Sequence, residues 1–139
     1  MCKIGDIILI TDPKSNGRHI GRHTFVVIKD EGGEIEGIPF DFVGLILSSL
    51  KNETDRKRLL KYPTNKEVKS GAMITDPHNG FDACIKADQF YYFSKEKIDY
   101  TIIGSLDIEP FNELISFIQE LISSGVKIKQ VLDNSADIW

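Results

Sequence analysis

Short runs of β-branched and other apolar residues constrain the fold of this chain most strongly. Ile7–Ile10, Thr24–Ile28 and Phe40–Leu47 are almost continuously apolar, and turn-forming residues lie near each of them. Runs of this length and composition are typical of strands that are buried on both faces or that line a closed barrel. The segments between them are too short for alternating strand–helix units. The sequence therefore predicts a small, strongly curved sheet or barrel with helices packed against it.

The rest of the chain supplies further strands and one short helix. A helix is expected over Thr54–Leu60, with Thr54 or Asp55 as its N-cap. Ser94–Lys97 has the composition of a helical turn, and Ile35–Pro39 that of an irregular edge. The remaining strands are expected at Val68–Thr75 (interrupted by Gly71), Asp82–Phe93, Thr101–Leu106 and Val126–Val131.

A C-terminal amphipathic helix is the clearest single element. Pro110 suits a first helical position, and Ser124-Gly125 ends the pattern. Apolar residues between these points recur at helical spacing and form one face. They are Phe111, Leu114, Ile115, Ile118, Leu121 and Ile122. The predicted fold class is therefore mainly β with α: a curved antiparallel sheet or small barrel covered by this helix.

Length, charge and cysteine content limit the classes of protein. The 139 residues are expected to form one domain, 1–139, with a core over about 3–122 and a C-terminal extension over 126–139. The net charge of −4 argues against broad nonspecific binding to phosphate, but it leaves room for a local basic site. No apolar run approaches the roughly 20 residues of a membrane helix, and no signal-peptide pattern is present. We therefore expect a cytoplasmic protein with no membrane partner, in which Cys2 and Cys84 stay reduced.

A basic, histidine-rich loop carries most of the candidate chemistry. Its members, with no acid among them after Asp12, are Lys14, Arg18, His19, Arg22 and His23. Histidine suits proton transfer near neutral pH, and arginine suits binding of a phosphate. With a hydroxyl from Ser48 or Ser49, such residues could cleave RNA. The same loop also reads as a solvated surface turn, with serines that merely end a strand. No metal-binding spacing is recognisable, so no metal and no cofactor are expected.

Four segments, in this order, resemble the MazF/Kid/PemK toxins of toxin–antitoxin pairs. The resemblance spans about residues 3–122. It is carried by Lys3–Ile10 (KIGDIILI), Gly21–Ile28 (GRHTFVVI), Val43–Ser49 (VGLILSS) and Ala83–Ile98 (ACIKADQFYYFSKEKI). It implies an SH3-like barrel shared with CcdB, a homodimer, and metal-independent cleavage of single-stranded RNA. It also implies an acidic antitoxin as a partner.

The resemblance also assigns roles to individual positions. The family's catalytic Arg falls on His23, with Arg22 beside it, and its hydroxyl falls on Ser48, with Ser49 next. His23 in place of Arg is the main departure from the family pattern, and the acidic net charge is a second. Neighbouring strand residues point to opposite faces, so Arg22 and His23 share a site only if the strand has not yet begun at Arg22.

The resulting prediction is a toxin endoribonuclease. The catalytic residues are predicted to be His23, Arg22 and Ser48, and the RNA-binding residues Arg18, His19, Lys14 and Ser49. The alternative is a noncatalytic binding protein on the same fold, either a CcdB-like gyrase inhibitor or an SH3-like adaptor.

Overall fold

The predicted apolar runs form the central strands of a curled sheet in a computed structural model of the protein. The structure describes residues 2–13, 23–75, 80–96 and 98–132. Its strands are β1 (Asp6–Pro13), β2 (His23–Lys29), β3 (Gly33–Ile35), β4 (Ile38–Phe40), β5 (Phe42–Ser49), β6 (Asn65–Val68), β7 (Met73–Thr75), β8 (Ala83–Lys86), β9 (Gln89–Phe93), β10 (Ile98–Leu106) and β11 (Lys129–Leu132). Its helices are α1 (Glu53–Leu60) and α2 (Ile108–Ser123), with a 3-10 turn at Ser70–Ala72.

Nine of the described strands belong to one sheet. Seven of them follow the order β11-β9-β5-β2-β1-β10-β7. The other two are β8, which pairs with β5, and β6, which pairs with β8. The sheet curls strongly into half a barrel, which confirms the predicted β-rich, curved architecture. Its pairs are antiparallel except β9 with β11, which are parallel. The prediction of antiparallel pairing was therefore wrong for this one pair.

Strand β5 is the branching point of the sheet. One of its edges pairs with β2, while its other edge pairs with β9 at its start and with β8 at its end. The predicted single strand Asp82–Phe93 is therefore two strands, separated by a turn at Ala87-Asp88. The pairing along β5 shifts register by three residues between them, since Leu47 is opposite Ile85 but Gly44 is opposite Tyr91.

Both faces of the sheet are buried, as continuous apolar strands require. One face packs against α2 through Phe111, Leu114 and Ile118, in a cluster that includes Ile7, Val26 and Leu45. The other face carries an aromatic cluster, in which the ring centroid of Phe25 lies 4.9 Å from that of Phe93 and 5.2 Å from that of Tyr91. Alternate residues of β2 point into the two clusters, so the strand packs on both of its faces.

Several predicted details were wrong. The N-cap of α1 is Asn52, whose side chain accepts a hydrogen bond from the Asp55 amide at 2.9 Å. Helix α2 begins at Ile108 after Asp107, so Pro110 is its third residue. Ser94–Lys97, expected as a helical turn, contains a turn at Lys95-Glu96, and Lys97 lies outside the described residues. The expected irregular edge at Ile35–Pro39 lies within the β3–β4 hairpin.

Two further findings concern the helices and the chain's last residues. Neither α1 nor α2, among the described residues, has the length and apolar character needed to span a bilayer. The predicted extension 126–139 contributes β11, and residues 133–139 lie outside the described part of the chain.

Candidate functional site

Three of the predicted site residues lie at neighbouring strand ends. His23 is the first residue of β2, and Ser48 and Ser49 are the last two residues of β5. The other four predicted residues lie outside the described residues. They are Lys14, Arg18, His19 and Arg22.

The pairing of β2 with β5 brings His23 towards Ser48. Phe25 lies opposite Ile46, and Val26 opposite Leu45. The described pairing ends at the first of these pairs, two residues after His23 in β2 and two residues before Ser48 in β5. Opposite residues of antiparallel strands share a face, and so do residues two apart on one strand, so His23 and Ser48 lie on the same face near the end of this pairing. Sequence positions 25 residues apart are thus neighbours in the sheet.

An open cleft of about 410 Å³ lies at these strand ends. His23, Thr24, Ser48 and Ser49 all line it. Its remaining lining residues are Ile7, Ile46, Leu47, Lys51, Asp55, Ser70, Met73, Thr75, Phe81, Ala83 and Ile103. A cleft that combines hydroxyls, an imidazole and a lysine with apolar walls has the mixed character of a ligand site.

Strand alternation divides the polar lining into two sets. The ring of His23 lies 6.4 Å from that of Phe25, two residues along the same strand. This places His23 on the aromatic face of the sheet. Ser48 lies on the same face because it is two residues from Ile46, which packs against the aromatic cluster. Thr24 and Ser49 belong to the other face, because neighbouring strand residues alternate. The two predicted serines are therefore not equivalent, and Ser48 is the one that shares a face with His23.

Cleft residues that the sequence analysis did not select come from the segment after β5 and from the segment before β8. Lys51 follows Ser49 by two residues, and Asp55 lies in the first turn of α1. Phe81 precedes β8 and is 37% exposed. The nearest sequence signals were the cluster of lysines and arginines that begins at Lys51 and an aromatic residue directly after Gly80 in a turn. Neither signal places these residues beside the serines.

Ion pairs hold the wall of the cleft in place. Arg56 of α1 pairs with Glu67 of β6 and lies 3.6 Å from the carboxylate of Asp82. Lys69 lies 2.9 Å from Glu67. Asp82 accepts a hydrogen bond from the Ser70 amide at 2.8 Å, and this bond, with the nearby cations, lowers the pKa of its carboxyl. The network joins α1, β6 and the start of β8.

Cys84 has the surroundings of a buried structural residue. It lies opposite Ser48 on β8 and is 1% exposed. Burial raises the pKa of its thiol, and a protonated thiol is a poor nucleophile. Among the described residues, no group of three or more His, Cys, Asp or Glu side chains could hold a metal ion.

Comparison with known proteins does not place the chain in a family. No protein-family model matches its sequence, and no curated protein matches it.

Proposed function

We propose that this protein is a metal-independent endoribonuclease that cuts single-stranded RNA, with a fold and site of the MazF/Kid/PemK type. The observation that carries the proposal is that His23 and Ser48 lie near the ends of two paired strands and line the same cleft. Both residues also stand at positions to which the family resemblance assigns catalytic roles. An imidazole can transfer a proton and a hydroxyl can donate a hydrogen bond to phosphate, and RNA cleavage requires both functions.

The reaction is an intramolecular transesterification at one phosphodiester of the RNA. The ribose 2′-oxygen attacks phosphorus, a P–O2′ bond forms, and the P–O5′ bond breaks. A base takes the proton of the 2′-hydroxyl, and an acid gives a proton to the leaving 5′-oxygen. The imidazole of His23 serves one of these proton steps, because histidine as a residue type can take up and release protons near neutral pH. The hydroxyl of Ser48 donates a hydrogen bond to the charged phosphate.

Arg22 has the third role in the proposal. Its guanidinium would neutralise the charge that develops on phosphorus. Arg22 lies outside the residues that the structure describes, so its role rests on its position next to His23 in the sequence. The resemblance extends the proposal to Lys14, Arg18 and His19 as contacts to flanking phosphates, to a homodimer, and to an acidic antitoxin that blocks the cleft.

The decisive experiment is cleavage of single-stranded RNA by the purified protein with EDTA present. We expect 2′,3′-cyclic phosphate and 5′-hydroxyl ends. His23→Ala and Arg22→Ala should each lower the cleavage rate about 10²-fold or more, as expected for an acid–base or phosphate-stabilising group. Cleavage that requires added metal would contradict the mechanism.

Ser48 and Ser49 form a matched pair for this test, because they are adjacent serines on opposite faces of β5. Ser48→Ala should lower the maximal rate, whereas Ser49→Ala should mainly weaken RNA binding. If Ser49→Ala alone abolished catalysis, the reacting phosphate would lie on the face of Thr24 and not on that of His23. RNA binding without any cleavage by the wild type would favour the noncatalytic alternative.

A further inference from the structure

A lysine and an aromatic residue lie side by side at the rim of the cleft. The pairing of β5 with β8 places Ser48 opposite Cys84 and Ser49 opposite Ala83. The Leu50 amide then donates a hydrogen bond of 2.8 Å to the Asp82 carbonyl. The next residues in this register are Lys51 and Phe81, and both line the cleft.

Lys51 and Phe81 share a face with Ser49 and Ala83. Residues two apart on a strand point the same way, and opposite residues of antiparallel strands do as well. These four residues therefore form a continuous patch, which begins one residue beyond Ser48. The patch combines an exposed ammonium group, an aromatic ring that is 37% exposed, and a hydroxyl.

Other charges near this patch are already engaged. Among the described residues that line the cleft, Lys51 is the only one with a permanent positive charge. The carboxylate of Asp55 lies 3.3 Å from Arg58 and 3.4 Å from the Lys51 amide, so it anchors the segment that carries Lys51. Arg56 is held by Glu67 and Asp82.

We infer that Lys51 and Phe81 form a nucleotide subsite of the cleft, in which Phe81 stacks on an RNA base and Lys51 contacts the neighbouring phosphate. The inference rests on the proposed function and names how the same cleft holds its substrate. Single-stranded nucleic acids are bound by this combination of aromatic stacking and backbone charge. The subsite shares a face with Ser49 and lies at the strand end that also carries Ser48, so the bound nucleotide would flank a phosphate held at this strand end.

The test is binding of an RNA oligonucleotide of about ten nucleotides, the usual span of a single-strand site. The probe carries 2′-O-methyl groups throughout and cannot be cut, so the assay does not depend on catalysis. Phe81→Ala should weaken binding about 5- to 150-fold, the range for loss of one stacked base. Phe81→Trp should retain binding, and Phe81→Leu, which keeps apolar bulk without a ring, should not.

Two matched controls come from α1 and the turn after it. Tyr62 is an aromatic residue with 51% exposure, and Lys57 is an exposed lysine; neither lines the cleft. Tyr62→Ala should bind as the wild type does. Lys51→Ala should reduce the slope of log affinity against log salt by about 0.7, the value for one lost single-strand phosphate contact, and Lys57→Ala should leave the slope unchanged.

The outcomes separate the subsite from the enzyme activity. If Phe81→Ala and Lys51→Ala bind like their controls while the wild type still cuts RNA, the subsite is refuted and the proposed function stands. If the wild type binds the probe through Phe81 and Lys51 but never cuts RNA, the subsite stands and the proposed function fails. If the wild type does not bind the probe, the subsite is refuted.

Discussion

Replacing Gly104 with alanine tests how the edge strand β7 is held against the sheet. Gly104 lies opposite Thr75 of β7 on one side and opposite Ile7 of β1 on the other. A Cβ atom added at Gly104 would lie 1.9 Å from the Ile74 carbonyl oxygen and 2.8 Å from the Thr75 Cα. Both obstacles are backbone atoms, which cannot rotate away. Glycine in a strand interior often marks such a close backbone approach.

The size of the effect follows from these distances. A carbon–oxygen contact needs about 3.3 Å, so β7 would have to move away by about 1.4 Å. A movement of this size disrupts the three-residue pairing of Met73–Thr75 with β10. Two or three backbone hydrogen bonds, at about 1 kcal/mol each, would be lost or weakened. We therefore expect Gly104→Ala to lower the free energy of unfolding by about 2–3 kcal/mol.

Thermal and urea unfolding measure this change. At this chain length, about 4 °C of Tm corresponds to 1 kcal/mol, so the expected loss is about 8–12 °C. Gly71→Ala is the matched control, since a Cβ at Gly71 meets no atom within 4 Å. It should change stability by no more than about 0.5 kcal/mol. Equal stability of Gly104→Ala and Gly71→Ala, with unchanged hydrogen exchange in β7, would refute the reasoning.

Two further predictions concern Cys84 and Asp82. Cys84→Ala should leave RNA cleavage near the wild-type rate, because its buried thiol has a raised pKa and stays protonated; inactivation of a folded variant would show that Cys84 takes part in the chemistry. The pKa of Asp82 is lowered on folding from 3.8, so its charge contributes stability above that pH and loses the contribution as the pH falls through the folded value. The stability advantage of wild type over Asp82→Asn should therefore shrink below about pH 4, and an advantage that grew in acid would contradict this sign.

The sequence was sufficient for the strands that carry the predicted chemistry. The apolar runs before and after the basic loop give β1 and β2, and Val43–Ser49 gives most of β5. Each is buried on both faces, so composition alone marks it as a strand. The position of Ser48 at a strand end was therefore predictable, and its nearness to the start of β2 follows from the pairing of β2 and β5.

The features that could not be predicted from the sequence depend on pairing between distant strands. The break at Ala87-Asp88 interrupts an apolar run, and it arises where β5 changes its partner from β8 to β9. Lys51 and Phe81 are 30 positions apart and line the same cleft, next to the hydrogen bond between Leu50 and Asp82. Local composition carries no information about such a contact, since it depends on the register of two distant strands.

The pairing of β1 with β10 determines when the cleft can form during synthesis. Asp6 of β1 lies opposite Ser105 of β10. The edge of β1 that pairs with β10 therefore stays unpaired until nearly a hundred further residues have been synthesised. Strand β7, which supplies Met73 and Thr75 to the cleft, attaches to the sheet through β10. Contacts between such distant residues carry a large loop-closure cost and form slowly. A ribosome-bound chain that stops short of residue 98 therefore contains His23, Ser48, Lys51 and Phe81, but its cleft lacks the wall that β7 and β10 form.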